Sequence, residues 1–598
     1  MRQSRLTIER FLWVLVVILA LGIRMVKLGA EPLSDPEATW ALQALSIFHA
    51  NSHIEPIPPG SQITYLTLTG LLFGLFGSNN FLARFLPALA GGFLCLAPYF
   101  FRQRLGSKAA LIMGFALVLD PGLVAVSRQA GGPMLALSLL LYSLAFLSAG
   151  RLVLAGVLFG LAIMSGPAAI QGLIILIIAA GFVWLSQKSE IIASIDDGEN
   201  PSVGVLPPLS SWKRGVFASL ATILLVGTLF SYFPMGLGAW LNAIPAYFSG
   251  WVALPTVPVG RLLGAVVFYQ PIGLIFGIIA AVRGWVDRNT LAQRLAIWLL
   301  MALIIILAYP NRQVGDMVWA LIPLWGLTAI ELSRYMGIEP QQRLIALGHA
   351  VLIVILLALF WLNLAGMSQP APDERAYTLR LGVLLGIGLL AIVTTLLLGF
   401  GWSWQAASRG LVWGVTIGLG LYQISGMWNV SFTPSTQQYR LWSPAPQVGQ
   451  ADLLMQTVRD LSSRTTGRYE YIEIASAVDA PSIRWLFRLF PNARFVPVGT
   501  VTLPGQSPAI ILTLASEQAP SLSSAYRGQD FIWWRYPGWD GAIPPGLPVF
   551  TAYRRFPSRG EQVILWARSD LFPQSAQTQV EQSPALPQTE LPTEEDLP

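Results

Sequence analysis

Long runs of apolar residues, separated by short polar loops, dominate the chain from Phe11 to Met427. Many of these runs are long enough to cross the hydrocarbon core of a bilayer as a helix. The pattern predicts a mainly α, polytopic bundle of about thirteen transmembrane helices. Ile63–Phe76 is apolar but short, which favours a helix lying at the membrane surface over a further span.

The pattern changes after Trp428, where the composition becomes that of a soluble domain. Asp452–Ser463 has helical spacing, whereas Tyr469–Ala475 and Gln562–Ala567 alternate like strands. We therefore predict a transmembrane domain over residues 1–428, whose first outer loop covers 29–84, and a small α/β domain over 429–572. The tail 573–598 is rich in Gln, Pro, Ser and Glu, which predicts disorder.

Composition agrees with the membrane assignment and narrows the function. The 598 residues are 54% hydrophobic and only 11% charged, which excludes an ordinary soluble protein. The net charge of +6 comes mostly from basic loops, so it gives no reason to expect a nucleic-acid partner. Cys95 is the single cysteine, which excludes an intramolecular disulfide and a cysteine metal cluster.

Charge asymmetry predicts the topology. Arg2, Arg5 and Arg10 precede the first span, Phe11–Leu28, which places the N-terminus in the cytoplasm and the loop after the span outside. Alternating the later spans puts the domain after Trp428 on the outer face of the cell membrane. No cleavable signal peptide is evident, so we expect the first span to be retained.

The first outer loop begins with Glu31–Ala38, which carries two acids, Asp35 and Glu37, just beyond a membrane segment. Pro36 fits the first turn of a helix that Asp35 would cap. One interpretation is structural, with Asp35 as cap and Glu37 as a first-turn acid. The other is that these carboxylates act on a substrate at the outer face.

Four cations also fall on the outer side by this topology, where the positive-inside rule does not predict them. Snorkelling to lipid headgroups is one explanation, and binding of an anionic, phosphate-bearing lipid is the other. His49 and His53 lie four residues apart without a third ligand nearby, which favours interfacial polar residues over a metal site. The four cations are Arg24, Lys27, Arg128 and Arg312.

An ordered set of segments resembles the GT-C superfamily of membrane glycosyltransferases, in particular its aminoarabinose transferase and protein O-mannosyltransferase branch. The set covers about the first quarter of the chain. It consists of Arg24, Pro32–Ala38, Pro58-Pro59 followed by Tyr65, Phe76–Ala88, and Asp120–Ala130.

The resemblance implies transfer of a sugar from a polyprenyl-phosphate donor to an acceptor at the outer face. Asp35 would be the general base, and Glu37 would orient the acceptor or hold a divalent metal. Arg24, Arg128 and Arg312, with Tyr65, would bind the phosphate. The sequence names neither the sugar nor the acceptor, which is a protein, a lipid or a glycan.

Two other functions remain open. Pro36 splits the adjacent Asp-Glu pair of the family, and Gly131-Gly132 stand where the family often has an acid. A non-catalytic protein that binds lipid-linked sugars, or is associated with their flipping, would tolerate both departures. A secondary transporter would be expected to contain inverted repeats, and no repeat is apparent.

Overall fold

The computed structural model describes residues 8–48, 60–196, 209–337, 340–368, 374–433, 440–444, 446–496, 507–515, 524–539, 546–554 and 556–572. Side chains are described for these residues except 187–196, 209–211 and 340. The chain forms two compact units. Unit 1 contains Met1–Ala451, Ala480–Leu486 and Ile532–Glu561, and unit 2 contains Asp452–Asp479, Phe487–Phe531 and Gln562–Pro598.

Unit 1 is a bundle of helices with a short strand pair. The strand β1 (Gln447–Val448) pairs antiparallel with β5 (Tyr526–Pro537) through Gln447 and Arg535. Its helices are α1 (Ile8–Met25), α2 (Asp35–Phe48), α3 (Ile63–Phe76), α4 (Asn80–Leu94), α5 (Ala97–Phe100), α6 (Arg102–Leu105), α7 (Ser107–Leu119), α8 (Pro121–Ser127), α9 (Met134–Ser148), α10 (Leu152–Ile163), α11 (Pro167–Asp196), α12 (Leu209–Gly227), α13 (Met235–Leu241), α14 (Ala243–Ser249), α15 (Val259–Tyr269), α16 (Pro271–Val286), α17 (Thr290–Ala308), α18 (Val318–Arg334), α19 (Arg343–Gly366), α20 (Glu374–Gly401), α21 (Trp404–Phe432), α23 (Pro481–Leu486) and α24 (Leu547–Tyr553).

Six helical segments among the described residues are long and apolar enough to cross a membrane. Two bent pairs, α7–α8 at 59° and α15–α16 at 94°, raise the number to eight if each is one span. Both bends occur where a proline begins the second helix, because proline lacks the N–H that would continue the first. The predicted multi-pass helical class is confirmed, whereas the figure of about thirteen spans stays a prediction. The six are Asn80–Phe100, Pro167–Ser186, Thr290–Ala308, Val314–Arg334, Arg343–Gly366 and Glu374–Gly401.

Local chemistry sets the start of α4, near the first outer loop. The Asn79 side chain accepts the Leu82 N–H at 2.8 Å and caps α4. The helix α3 has the predicted bounds and is shorter than a span. Its position at the membrane surface stays a prediction.

Unit 2 is a small α/β unit. Its helix α22 (Ala451–Thr466) covers the predicted Asp452–Ser463. The strand β2 (Ile474–Ser476) lies between β3 (Ala493–Phe495) and β4 (Ile510–Leu514), parallel to both. The strand β6 (Ser558–Arg568) pairs antiparallel with β4, with Leu512 opposite Leu565. The predicted small C-terminal sheet domain is therefore confirmed as an α/β sheet structure.

The bounds of the two units can be compared with the predicted domain limits. The predicted boundary after Trp428 lies within α21, which ends at Phe432. Unit 1 also includes Ala480–Leu486 and Ile532–Glu561 from the C-terminal part of the chain. The predicted disordered tail, 573–598, lies outside the described residues.

Candidate functional site

A small polar cavity lies in unit 1 where α1, α2, α4 and α8 approach the segment after α21. Its volume is about 60 Å³, room for on the order of four water molecules. The cavity is lined by Lys27, Leu28, Glu31, Pro32, Ser34, Glu37, Arg84, Ala125, Arg128, Gln129, Val430, Arg440, Ser443, Pro444, Gln447 and Val448.

Glu37 is the central acid of this cavity, and its carboxylate is fully engaged. Arg84 donates from Nε to Oε1 at 2.7 Å and from Nη2 to Oε2 at 2.9 Å. The Ser34 N–H and hydroxyl donate to Oε2, and the Ala130 N–H donates to Oε1. Burial raises the pKa of Glu37, but Arg84 and the N–H donors outweigh it and hold the pKa below its ordinary value of 4.5. Glu37 therefore fixes the wall of the cavity as a buried ion pair.

A second ion pair lines the same cavity. Arg440 donates to Glu31 from both terminal nitrogens, at 3.1 and 2.9 Å, so that a residue after α21 is tied to the loop after α1. The planar guanidinium suits such a two-point contact with a carboxylate. Arg440 is 5% exposed, which makes the pair largely buried on the cationic side.

The remaining cations give the cavity its positive surplus. Arg128 donates from Nη1 to the carbonyls of Ile23, Arg24 and Val26, at the end of α1. The Lys27 ammonium makes no hydrogen bond or ion pair within the described part of the chain. Four basic side chains against two carboxylates, Glu31 and Glu37, leave a formal surplus of two positive charges. The cavity is therefore suited to an anion.

A larger cavity of about 650 Å³ adjoins the small one and shares Glu37, Gln129, Ser443 and Pro444 with it. Its wall includes four aromatic and five amide side chains, which offer both flat apolar surface and hydrogen-bonding groups. Tyr247 and Tyr309 stack there with ring centroids 5.1 Å apart. Its lining residues include Trp40, Gln62, Gln171, Tyr247, Arg261, Tyr309, Asn311, Gln313, Asp316 and Trp442.

Several buried donors in the wall of the large cavity have no hydrogen-bond partner among the described residues. They are Nε2 of Gln171, Nε1 of Trp442 and Nε of Arg261. Gln171 and Trp442 are 2% and 1% exposed, and the unpaired nitrogen atoms themselves are buried from water. An unsatisfied buried donor is costly, so a side-chain rotation that turns it toward a ligand oxygen in the cavity would be favourable.

The carboxylate of Asp316 lines the large cavity, and one of its oxygens receives no hydrogen bond from the described residues. It lies in a 3₁₀ turn, Val314–Met317, directly before α18. Its Oδ2 accepts the Gln313 N–H at 2.8 Å in a capping box, and no described residue bonds to Oδ1. Asp316 can therefore accept a hydrogen bond or a proton from a bound hydroxyl.

The structure places Asp35 differently from the sequence-based expectation of a cap. Its Oδ1 accepts the Ser482 N–H at 3.0 Å, at the start of α23, and its Oδ2 accepts Nε1 of Trp534 at 2.7 Å. Because α2 begins at Asp35 itself, Asp35 is not its cap; Glu37 in the first turn accepts the N–H and the hydroxyl of Ser34, the residue before the helix. The carboxylate of Asp35 lines neither cavity. Its assignment as general base stays a prediction.

Three other predicted residues also lie outside both linings. Arg24 is fully buried and donates to the carbonyls of Ala20 and Leu117. Tyr65 is fully buried and donates its hydroxyl to the Ala83 carbonyl. Arg312 donates to the carbonyls of Val257, Leu307 and Tyr309 and holds its own loop together. Of the six predicted site residues, the structure brings Glu37 and Arg128 together in one cavity.

Sequence reasoning missed three residues that line the cavities, Arg84, Arg440 and Asp316, and named Lys27 only as an outer cation. Arg84 was visible as the arginine of the Phe76–Ala88 segment. Arg440 and Asp316 had no local signal, because each meets the site only through tertiary contacts. His49 and His53 lie outside the described residues.

The predicted divalent metal finds little support in the geometry. Among the described residues, no group of three His, Cys, Asp or Glu side chains lies close enough to hold a metal ion. Both oxygens of Glu37 already accept strong donors, so Glu37 does not fit the role of a metal ligand in this arrangement. No step is therefore assigned to a metal, and metal dependence stays a prediction.

Comparisons with known proteins identify the fold. No family model matches the sequence, and a search of curated proteins finds no match. Among solved structures, ArnT from Cupriavidus metallidurans bound to undecaprenyl phosphate matches with a TM-score of 0.54 and 16% identity, covering 94% of this chain and 99% of that one. The apo structure of ArnT matches over the same shares, with a TM-score of 0.52 and 16% identity. This chain therefore shares the fold of ArnT over nearly its whole length, as the sequence resemblance predicted.

Proposed function

We propose that this protein is a membrane glycosyltransferase that takes a sugar from a polyprenyl-phosphate donor. The donor phosphate would lie in the small cavity, against Lys27, Arg128 and Arg440. The observation that carries the proposal is the positive surplus of this cavity together with the unpaired Lys27 ammonium. An ArnT structure of the same fold is bound to undecaprenyl phosphate, which supports this class of donor.

The sugar would lie in the large cavity. Because the two cavities share Glu37 and Gln129, a sugar attached to the bound phosphate would enter the large one directly. After side-chain rotation, the unsatisfied donors of Gln171 and Trp442 would meet its hydroxyl oxygens. The site suits a hexosyl or pentosyl group.

The transfer step requires a group that accepts a proton. An acceptor hydroxyl attacks the anomeric carbon, the bond between that carbon and the phosphate oxygen breaks, and polyprenyl phosphate leaves with its electron pair. We propose Asp316 as the general base, because its carboxylate lines the sugar cavity and has a free oxygen. The cations of the small cavity would stabilise the charge on the departing phosphate. Asp35 is the alternative base, and it would first have to release Ser482 and Trp534.

The acceptor and the side of the membrane belong to the same proposal. We propose that the reaction takes place at the outer face of the cell membrane, with a protein, lipid or glycan as acceptor. The charge pattern of the loops supports this orientation.

Purified protein in lipid, supplied with polyprenyl-phosphate sugars and a mixture of acceptors, tests the proposal by mass spectrometry. We expect a transferred sugar and release of polyprenyl phosphate. Lys27→Gln should weaken binding of polyprenyl phosphate about tenfold, the scale of one charge-assisted contact. Lys108→Gln is the matched control, because Lys108 is an exposed lysine that lines neither cavity. Equal binding of polyprenyl phosphate by both variants would contradict the proposal that the donor phosphate lies in the small cavity.

A non-catalytic protein that binds lipid-linked sugars is the second candidate. The observation that favours it is the engagement of Asp35 and Glu37, the two acids of the first outer loop, by protein donors. Donor binding without any transferred sugar, unchanged by Asp316→Asn and by Asp35→Asn, would support this candidate over the enzyme.

A further inference from the structure

A third cavity lies in unit 1 and shares no residue with the two described above. It is a crevice of about 570 Å³ between α4–α6, α7, α9, α17 and α18. Its lining is almost entirely apolar. The residues are Leu94, Ala97, Pro98, Phe101, Arg104, Leu105, Met113, Leu117, Leu141, Leu144, Leu147, Ser148, Gly150, Leu291, Leu295, Trp298, Ile322 and Gly326.

The crevice runs from the surface into the core of the bundle. Leu94 and Leu117 at its inner end are at most 1% exposed, whereas Leu144 at its rim is 36% exposed. Water is a poor occupant, because a buried water needs polar partners and this wall offers few. An empty crevice of this size would forfeit the dispersion contacts of every residue along it. A hydrocarbon chain is the occupant that satisfies both conditions.

The rim of the crevice has the opposite chemistry. Arg104 follows the candidate span Asn80–Phe100 by four residues, which puts it at the end of the membrane-crossing part. Leu291 lies at the start of the span Thr290–Ala308 and marks the same level. The exposed Arg104 guanidinium makes no hydrogen bond or ion pair with any described residue, and no carboxylate is among the residues that line the crevice.

The wall contains one further unsatisfied donor. Nε1 of Trp298 is buried and has no hydrogen-bond partner in the described part of the chain. Trp298 lies seven residues along α17 from Leu291, about 10 Å below the rim, so this donor is at the depth of the acyl chain and the headgroup contact rests on Arg104. Basic residues beside apolar pockets between membrane helices are typical of sites for anionic lipid headgroups.

We propose that this crevice is a binding site for an anionic phospholipid, with one acyl chain inside and the phosphate group against Arg104. The site is independent of the glycosyl-transfer site, since the two have no residue in common. Bound lipid would fill the space between α9 and α17 and so connect these two helices.

Native mass spectrometry of the full protein with phosphatidylglycerol and phosphatidylcholine tests the headgroup. We expect wild type to retain phosphatidylglycerol preferentially. Arg104→Gln should reduce that preference about tenfold, and Lys108→Gln, a matched exposed cation outside the crevice, should change it less than twofold. Equal retention of the two lipids by wild type, or equal loss in both variants, would overturn the proposal.

A phosphatidylglycerol with a photoactivatable group on its acyl chain tests the chain position. Cross-links should map to peptides that contain Met113, Leu117 or Ile322, and excess unlabelled phosphatidylglycerol should suppress them. Cross-links confined to other parts of the protein would also overturn the proposal. The measurement uses wild type, so it does not depend on the folding of any variant.

Discussion

The two cavities that share Glu37 satisfy their polar groups in different ways. In the small cavity, Arg84 and Arg440 are neutralised by Glu37 and Glu31, and the net positive charge comes from Lys27 and Arg128. In the large cavity, one oxygen of Asp316 accepts no hydrogen bond, and several buried donors have no hydrogen-bond partner among the described residues.

The difference indicates that the two cavities recognise a ligand by different means. In the small cavity, paired charges build a rigid frame and the surplus charge of Lys27 and Arg128 selects an anion. In the large cavity, hydrogen-bonding groups select a ligand by the positions of its oxygens. Each kind of wall can be tested by removing one of its elements while leaving the other intact.

The largest effect is expected from breaking the frame that the two cavities share. Arg84→Met leaves the carboxylate of Glu37 buried without its cation, which should lower the free energy of unfolding by about 3–5 kcal/mol. Arg102→Met is the control, because the Arg102–Glu9 pair is 3.7 Å long and both side chains are about 41% exposed. Unfolding by denaturant in mixed micelles measures the free energy of unfolding of both variants. Equal stability of the two would contradict the structural role of the Arg84–Glu37 pair.

The next effect separates the two candidate bases. Asp316→Asn keeps an acceptor for the Gln313 N–H, so the turn should fold, but it removes the base and should lower kcat by about a hundredfold or more. Asp35→Asn should leave kcat nearly unchanged if Asp35 only tethers Ser482 and Trp534. If Asp35→Asn lowers kcat far more than Asp316→Asn does, then Asp35 is the base.

A smaller effect is expected in the wall of the large cavity. Gln171→Leu should weaken binding of a polyprenyl-phosphate sugar about fivefold, roughly the value of one neutral hydrogen bond, without affecting polyprenyl phosphate alone. Its free energy of unfolding should stay the same or rise, because an unsatisfied buried donor is removed. Titration calorimetry with both lipids measures the difference. A loss of stability with unchanged sugar binding would mean that Gln171 has only a structural role.

The smallest effect is the pH dependence of the frame. The pKa of Glu37 is lower in the folded protein than its ordinary value of 4.5, so the unfolded chain binds more protons as the pH falls. The stabilisation is therefore complete above about pH 4.5 and decreases as the pH falls through the folded pKa. We expect the difference in Tm between wild type and Glu37→Gln to be constant from pH 5 to 7 and to shrink below about pH 4.5. A difference that grows in acid would show the opposite sign of the shift.

The comparison also shows why some parts of the structure were predictable. Helix α3 was predicted with its observed bounds, and α22 nearly so, because the apolar run and the helical spacing are local properties of the sequence. The membrane class followed from composition in the same way. The sharp bends of α7–α8 and α15–α16 show why the number of spans was harder to predict, since one apolar run can fold into two helices at an angle.

The sequence by itself determined that this chain folds as a multi-pass helical protein, and that acids and cations gather after its first span. Only the tertiary structure decided which of them face a cavity. Asp35 is held by Trp534, 499 residues away, and Glu31 by Arg440, 409 residues away. The physical reason is that a charged side chain is governed by its nearest partners in space, and burial makes that choice of partner outweigh any local preference.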